Sequence, residues 1–214
     1  LDVDVLVVDL QGDGYTVAVE ARSVILVKRT TSWFRQNFSI AHELGHLTSG
    51  SLCDGQLSKA DASEGAANHF AAELLMPEAE LRSIDWDNIA LPILADRLWR
   101  WGVSTHALDV RLRSLRLNPR SEVVDALGTT TQAFLRGHWR MPPGPDLISQ
   151  RMERAAERRF PTDLISRLEV AVLEGRAPTG SLAFALGVAE EDLELDLPDI
   201  ADPAQDTKLL EGLT

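Results

Sequence analysis

The chain has 214 residues, of which 44% are hydrophobic, and its 33 acidic and 21 basic side chains give a net charge of −12. This composition is typical of a globular protein with one large domain, or with one domain and a small appendage. The single cysteine, Cys53, excludes a scaffold held by internal disulfides, and no apolar run is long enough to span a membrane. The acidic balance argues against a general binder of nucleic acid or anionic membranes.

The charge is distributed unevenly along the chain. Residues 1–93 have a net charge of −8, residues 94–159 one of +5, and residues 160–214 one of −9. Only the middle segment can tolerate contact with a polyanion. The first ten residues contain no basic side chain and show no secretory signal. Together with the lone cysteine, this favours a protein of a reducing compartment, and we expect a cytoplasmic location.

The N-terminal part has the pattern of short strands. Residues 3–10 alternate loosely and are rich in valine, and residues 11–14 (QGDG) supply a turn. Residues 15–19 and 24–27 are further runs of strand-forming residues. These segments predict a small antiparallel sheet at the start of an α+β fold.

The apolar spacing changes to that of helices after residue 32. Residues 38–47 predict a first helix with Asn37 or Ser39 as its N-cap, and residues 63–76 predict a second helix that stops at Pro77. Further helices are expected over residues 91–101, 104–115, 146–175 and 181–195.

The motif HELGH at residues 42–46 lies within the first predicted helix. Residues four apart share a helix face, so His42 and His46 can direct their ring nitrogens at one metal ion. Glu43 lies beside the first of them, where a carboxylate can accept a proton from water that zinc activates. This HExxH pattern predicts a zinc-dependent peptidase, although a histidine pair at this spacing also arises from ordinary packing.

A catalytic zinc needs a third protein ligand and one open position. Glu64 is the candidate, because it opens a second helix whose inner face is otherwise small and apolar. Asn68, one turn on, can hold a ligand or the substrate by hydrogen bonds. Two alternatives stay open: Glu64 is an ordinary acid of the first helical turn, or Glu73 replaces it as ligand. His69 lies off this stripe and is interpreted as a packing or rim residue.

Other reactive side chains have weaker signals. The only tyrosine, Tyr15, lies in a predicted strand, so we expect no tyrosine donor to the oxyanion of the reaction. His106 or an arginine is the alternative donor. Cys53 follows the first helix in a predicted loop, where a small residue without a chemical role is the simpler interpretation.

Two stretches together resemble a known family. Residues 37–46 read NFSIAHELGH, and residues 64–77 read EGAANHFAAELLMP. With Val103-Ser104 and Arg111-Leu112 further on, they resemble the ImmA/IrrE family of bacterial zinc metallopeptidases over about residues 3–118. These paired motifs are far more specific than HExxH alone.

The resemblance implies a zincin-like fold of gluzincin type, with His42, His46 and Glu64 as zinc ligands and Glu43 as general base. It also implies intracellular action and limited cleavage of a helix-turn-helix transcriptional repressor. Cleavage of that partner would derepress stress-response, phage or mobile-element genes. No membrane contact is expected.

The domain organisation follows from the resemblance and from a proline-rich stretch, PPGP, at residues 142–145. We expect four parts in chain order: a zinc metallopeptidase domain over residues 1–118, a connector over 119–147, an all-helical C-terminal domain over 148–197 and an acidic tail over 198–214.

Two segments favour an alternative function, that of a DNA- or protein-binding transcriptional regulator with a structural or vestigial metal site. Residues 94–116 outline a helix-turn-helix whose second helix carries Arg111, Arg113 and Arg116, although arginines often only solvate a helix face. Residues 182–197 have a similar outline but end in acids that would repel phosphates. A protein-contact or regulatory role is the better hypothesis there, and it includes a peptidase that stays inactive until a partner engages this region.

Overall fold

The valine-rich segments of the N-terminal part form a three-stranded sheet. The strands are β1 (Val3–Val8), β2 (Gly14–Val19) and β3 (Arg22–Lys28). The structure is a computed structural model that describes residues 3–19, 22–49 and 61–194. Cys53 and the predicted acidic tail over residues 198–214 lie outside the described residues.

The sheet has the strand order β1-β3-β2 and is mixed. β2 pairs antiparallel with β3, with Gly14 opposite Val27, whereas β1 pairs parallel with β3, with Val3 opposite Ser23. The prediction of an antiparallel sheet is therefore corrected at β1. The chain reverses direction between successive strands, so β3 has the same direction as β1. Because β3 lies between β1 and β2 in the sheet, it pairs with β1, and this pairing is parallel.

Two helices beside this sheet carry the HExxH motif and the proposed third ligand. They are α1 (Trp33–Thr48) and α2 (Asp61–Leu75). The first begins at Trp33, with Ser32 at the N-cap position, which is earlier than the predicted caps Asn37 and Ser39. α1 packs on β2 and β3 with one face and on α2 with another. The motif helix is thus held between the sheet and the second helix.

A set of shorter helices completes the first compact unit. They are α3 (Glu78–Arg82), α4 (Leu91–Trp101), α5 (Thr105–Ser114), α6 (Ser121–Leu127), α7 (Thr131–His138) and α8 (Leu147–Ala156). Their apolar faces form one core that also contains Trp33 of α1 and Met76, the residue after α2. The core therefore contacts α1 at its N-terminal end and α2 at its C-terminal end.

This compact unit ends after Arg159 and so extends beyond the predicted catalytic domain. Val123 and Phe134, from the predicted connector, and Ile148, from the predicted C-terminal domain, are buried in its core. Val7 and Arg159 exchange backbone hydrogen bonds of 2.8 and 3.0 Å, which fixes the end of the unit to β1. The functional boundaries of the domains stay a prediction.

The second compact unit begins at Phe160. Its described part contains α9 (Thr162–Leu173), α10 (Thr179–Leu186) and a 3-10 turn (Glu190–Asp192). The helix predicted over residues 146–175 is interrupted between Ala156 and Thr162, and the helix predicted over 181–195 ends at Gly187, whose φ of 75° is left-handed. Among all described helices of the chain, none is both long and apolar enough to cross a membrane.

Asp146 caps α8 and gives a pH-dependent contribution to stability. Its Oδ2 accepts a hydrogen bond of 2.8 Å from Arg136, and its Oδ1 accepts the backbone N–H groups of Ile148 and Ser149. The bond from Arg136 and then those from Ser149 lower the pKa of Asp146 from 3.8 to about 2. A carboxyl with a lowered pKa stabilises the fold above its ordinary pKa and loses this effect as the pH falls from about 4 to about 2.

We therefore expect Asp146→Asn, which keeps an N-cap acceptor and removes the charge, to lower Tm at pH 7. The difference in Tm from wild type should shrink as the pH falls toward 2, and circular dichroism at several pH values measures it. A difference that stays constant over this range would show that the charge of Asp146 contributes nothing.

Candidate metal and active site

Helices α1 and α2 come closest at Gly45 and Ala67. A Cβ atom on Gly45 would lie 2.9 Å from the Cα and 3.1 Å from the carbonyl oxygen of Ala67. Contacts this short with backbone atoms are not tolerated, so the helices can approach this closely only with glycine at position 45. Since Gly45 adjoins His46, and Ala67 lies one turn after Glu64, this contact brings the carboxylate of α2 to the histidines of α1.

Three side chains converge at this helix contact. The Nε2 atoms of His42 and His46 lie 3.1 Å apart. Glu64 places Oε2 3.3 Å from Nε2 of His42 and Oε1 3.6 Å from Nε2 of His46. The three residues form a group whose ligand atoms lie within 4.8 Å of one another, as a shared metal ion requires.

The separations fit a tetrahedral ion. Zinc binds imidazole nitrogen at about 2.0–2.1 Å and carboxylate oxygen at a similar distance, so two ligands at tetrahedral corners lie about 3.3 Å apart. The two Nε2 atoms lie 3.1 Å apart, and each has one oxygen of Glu64 at 3.3 or 3.6 Å, which is close to this value. All three side chains are partly exposed, which leaves access for a fourth ligand.

Both imidazole rings have a hydrogen-bond partner at the nitrogen that faces away from the site. Asn68 Oδ1 lies 3.0 Å from Nδ1 of His42, and Ser63 Oγ lies 3.4 Å from Nδ1 of His46. If Nδ1 of each ring carries the proton and donates it to these oxygens, each Nε2 keeps its lone pair for a metal. The contact of Asn68 is the kind expected from its place on the helix, whereas Ser63 was not identified from the sequence.

Asn68→Ala is expected to weaken metal binding by about 10- to 100-fold, because the amide oxygen is placed to orient the ring of His42. Competition with a chromophoric chelator measures the affinity. Asn118→Ala, which changes an exposed asparagine outside the site, is the matched control. Unchanged affinity in Asn68→Ala would show that the asparagine has no part in holding the ligand.

Glu43 lies beside the histidines but points into the protein toward β2. Its side chain is only 8% exposed. Thr16 Oγ1 donates a hydrogen bond of 2.8 Å to Oε2 of Glu43, and Gly14 leaves room for the carboxylate, since a Cβ there would lie 3.3 Å from Oε1. Thr16 was missed from the sequence, where its only signal is a hydroxyl within an apolar strand.

Glu73, the alternative ligand, is engaged elsewhere. Its carboxylate pairs with the guanidinium of Arg111, whose side chain is 4% exposed, and also accepts the backbone N–H of Glu78 at 3.2 Å. Arg111 further donates to the carbonyl of Met76 at 3.4 Å. Glu73 therefore ties the end of α2 to α5, and Glu64 is the carboxylate that the structure brings to the histidine pair.

His106 was predicted as an alternative donor to the oxyanion. It is exposed in the first turn of α5, and among the described residues no hydrogen bond or ion pair joins it to His42, His46 or Glu64. Its role as an oxyanion donor stays a prediction, and the geometry adds no support for it.

The helix-turn-helix outline corresponds to α4 and α5, joined at Gly102, whose φ is 64°. Arg111 is buried, and Arg113 forms an ion pair with Asp109, whereas Arg116 is exposed. Two of the three arginines behind the DNA hypothesis are thus engaged within the protein. DNA contact by this segment stays a prediction.

The chain has a match among known protein families. The model of a peptidase family described as the IrrE N-terminal-like domain, family M78, matches residues 2–113, slightly more than half of the chain. No curated protein matches the chain significantly. The matched range contains the whole of α1 and α2, and with them every residue of the convergent group.

Proposed function

The chain belongs to the IrrE N-terminal-like family of metallopeptidases, and on that premise we propose that it is a zinc-dependent endopeptidase that cleaves one specific intracellular protein. The observation that carries this proposal is the convergence of His42, His46 and Glu64, together with the buried carboxylate of Glu43, the residue that follows His42 on α1. A structural or vestigial metal site needs no such carboxylate held in place by Thr16. We therefore prefer the peptidase over a regulator with an inactive site.

Zinc is the metal that this donor set favours. Two imidazole nitrogens and one carboxylate, with a fourth position open, are the ligands of a catalytic rather than a structural zinc site. When bound, Zn²⁺ supplies a Lewis acid that polarises a peptide carbonyl and makes water more acidic. Asn68 and Ser63 hold the two imidazoles in the orientation that this role requires.

Glu43 performs the proton transfers of the reaction. Thr16 occupies Oε2 of the carboxylate, so Oε1 is the atom that accepts a proton from the attacking water. The water oxygen forms the new bond to the carbonyl carbon. Glu43 then donates the proton to the peptide nitrogen as the C–N bond breaks, and the products are a carboxylic acid and an amine.

The edge of the sheet supports cleavage within a chain rather than at its end. In the described part of the protein, β2 pairs only with β3, so its other edge offers backbone donors and acceptors beside Glu43. An extended peptide can add to such an edge and continue in both directions. This is the reason to propose an endopeptidase.

The proposed substrate is a helix-turn-helix transcriptional repressor, whose cleavage derepresses stress-response, phage or mobile-element genes. This part rests on the family resemblance and not on a feature of the site. The test is to incubate the zinc-loaded chain with the repressor encoded nearest to its own gene, and to identify the fragments by mass spectrometry. An unrelated helix-turn-helix repressor is the control.

We expect two fragments from the neighbouring repressor and none from the control protein. Equal digestion of both repressors would contradict the specificity. Failure to cleave either repressor or an unfolded general substrate such as casein would contradict the peptidase itself.

A further inference from the structure

A second feature lies on the same helix as the metal group. A polar cavity of about 140 Å³, open to solvent, lies between the turn before β2, the end of β3 and the first half of α1. Its lining residues are Asp13, Lys28, Thr30, Arg35, Gln36 and Ser39. None of them takes part in the metal group or in the proton transfers assigned to Glu43.

The cavity follows the metal group along one face of α1. Four residues of this helix are spaced by four, three and four positions, which places them on a single stripe. They are Arg35, Ser39, His42 and His46. Ser39 lies about 6 Å, and Arg35 about 12 Å, from Glu43 along the helix axis. An extended peptide advances about 3.3 Å per residue, so for a peptide that runs along α1 the cavity lies two to four residues from the bond that is hydrolysed beside Glu43.

Two neutral lining residues of the cavity, Gln36 and Ser39, have their hydrogen-bonding groups engaged within the protein. The side-chain nitrogen of Gln36 donates to the carbonyls of Lys28 and Ala155 at 3.1 Å each, and its oxygen accepts from Arg159 at 2.8 Å. Ser39 Oγ donates to the carbonyl of Arg35 at 3.0 Å. These groups shape the wall and have little capacity left for a ligand.

The charged lining groups leave an excess of one cation. Arg35 forms an ion pair of 2.7 Å with Asp13, which uses only one of the five N–H groups of the guanidinium. Lys28 adds a second cation to the same wall. Arg159, which donates to the lining residue Gln36 at 2.8 Å, adds a further cation beside the cavity.

We propose that this cavity is a specificity pocket that binds a carboxylate of the protein substrate, the side chain of an aspartate or glutamate two to four residues from the scissile bond. The inference rests on the proposed peptidase function. Lys28 and Arg35 donate charge-assisted hydrogen bonds to the carboxylate. A lysine at the same substrate position is disfavoured by the net positive charge of Lys28, Arg35 and Asp13, and an amide loses the ionic part of the interaction.

The test uses binding rather than turnover. The ligands are short alanine peptides with a zinc-binding hydroxamate at one end. One series carries the hydroxamate at the C-terminus and the other at the N-terminus, so that the two series extend to opposite sides of the metal. Each has Glu, Gln or Lys at the second, third or fourth residue and an uncharged far end. Calorimetry with the zinc-loaded full chain measures Kd. We expect Glu to bind about fivefold more tightly than Gln at one of these positions, and Lys more weakly than both.

Variants of the pocket assign the effect to its residues. Lys28→Gln should bring the ratio of Kd values for Gln and Glu peptides toward one, and Lys28→Glu should make the Lys peptide the tighter ligand. Arg29→Gln is the matched control, because this substitution removes the same charge one residue away. Arg29 pairs with Asp9 at 2.8 Å and does not line the cavity. It should leave the ratio unchanged.

The outcomes separate the two proposals. Equal binding of Glu and Gln peptides at every position, or a preference that Lys28→Gln does not alter, overturns the pocket and leaves the peptidase intact. Failure of all hydroxamates to bind the zinc-loaded chain overturns the peptidase and the pocket with it. An alanine peptide with a free terminal carboxylate at the same distance tests the other source of the anion, and tighter binding of that peptide than of the Glu peptide overturns the side-chain assignment.

Discussion

Glu43→Gln is expected to slow peptide hydrolysis by orders of magnitude while the chain keeps its zinc. Glutamine has the shape of glutamate, and its amide oxygen can still accept the hydrogen bond from Thr16. The amide cannot take up the proton of the attacking water, and the loss of such a general base slows a reaction by about 100- to 10,000-fold. The initial rate of fragment formation, at equal zinc content, is the measurement.

The control for this variant is Glu153→Gln, which removes the same charge from an exposed position on α8. It should cleave at the wild-type rate. A Glu43→Gln protein that binds zinc and cleaves as fast as the control would remove Glu43 from the mechanism.

Loss of a ligand is expected to have the second large effect. Glu64→Gln and His42→Ala each leave only two strong ligands for the ion. Loss of a hydrogen bond to a ligand weakens metal binding by up to roughly 100-fold, and loss of the ligand itself should weaken zinc binding by more than that. The fold should survive either change, because the apolar core that holds α1 and α2 lies elsewhere. Zinc content after dialysis and Tm in the absence of metal are the two readouts.

Glu73→Gln is the matched control, since it alters another glutamate of α2. It breaks the pair with Arg111, whose side chain is only 4% exposed, and should lower the free energy of unfolding by about 1–3 kcal/mol while zinc stays bound. Glu64→Gln should show the opposite pattern, with zinc lost and Tm of the metal-free chain preserved. A full equivalent of zinc in Glu64→Gln would show that the ligand set is wrong.

The histidine pair and its carboxylate differ in how far the sequence determines them. The approach of His42 and His46 follows from helix geometry alone, so the HExxH spacing predicts it directly. The position of Glu64 beside the two histidines depends on the packing of α2 against α1. The sequence records that docking only as the small residues Gly45 and Ala67, whose contact becomes evident in the structure.

The support of Glu43 could not be predicted. Thr16 lies 27 positions earlier in the chain and reaches Glu43 only because β2 is the edge strand next to α1. The apolar pattern identifies the strands but does not specify their order. For the same reason the apolar pattern does not predict the parallel pairing of β1 with β3.

The end of the first compact unit shows a similar limit. The prolines and glycine at residues 142–145 indicate a linker, yet they form a connection between α7 and α8 within one unit. What holds α8 there is the burial of Ile148 and the backbone pairing of Val7 with Arg159. Both are contacts between distant parts of the chain, and no local pattern encodes them.

Titration of the metal-free chain with zinc, with repressor cleavage followed at each step, tests the central claim most directly. If His42, His46 and Glu64 hold the ion that Glu43 works beside, the cleavage rate should rise in proportion to bound zinc and level off at one equivalent. Undiminished cleavage by the metal-free chain, or a full equivalent of bound zinc without cleavage, would contradict the account.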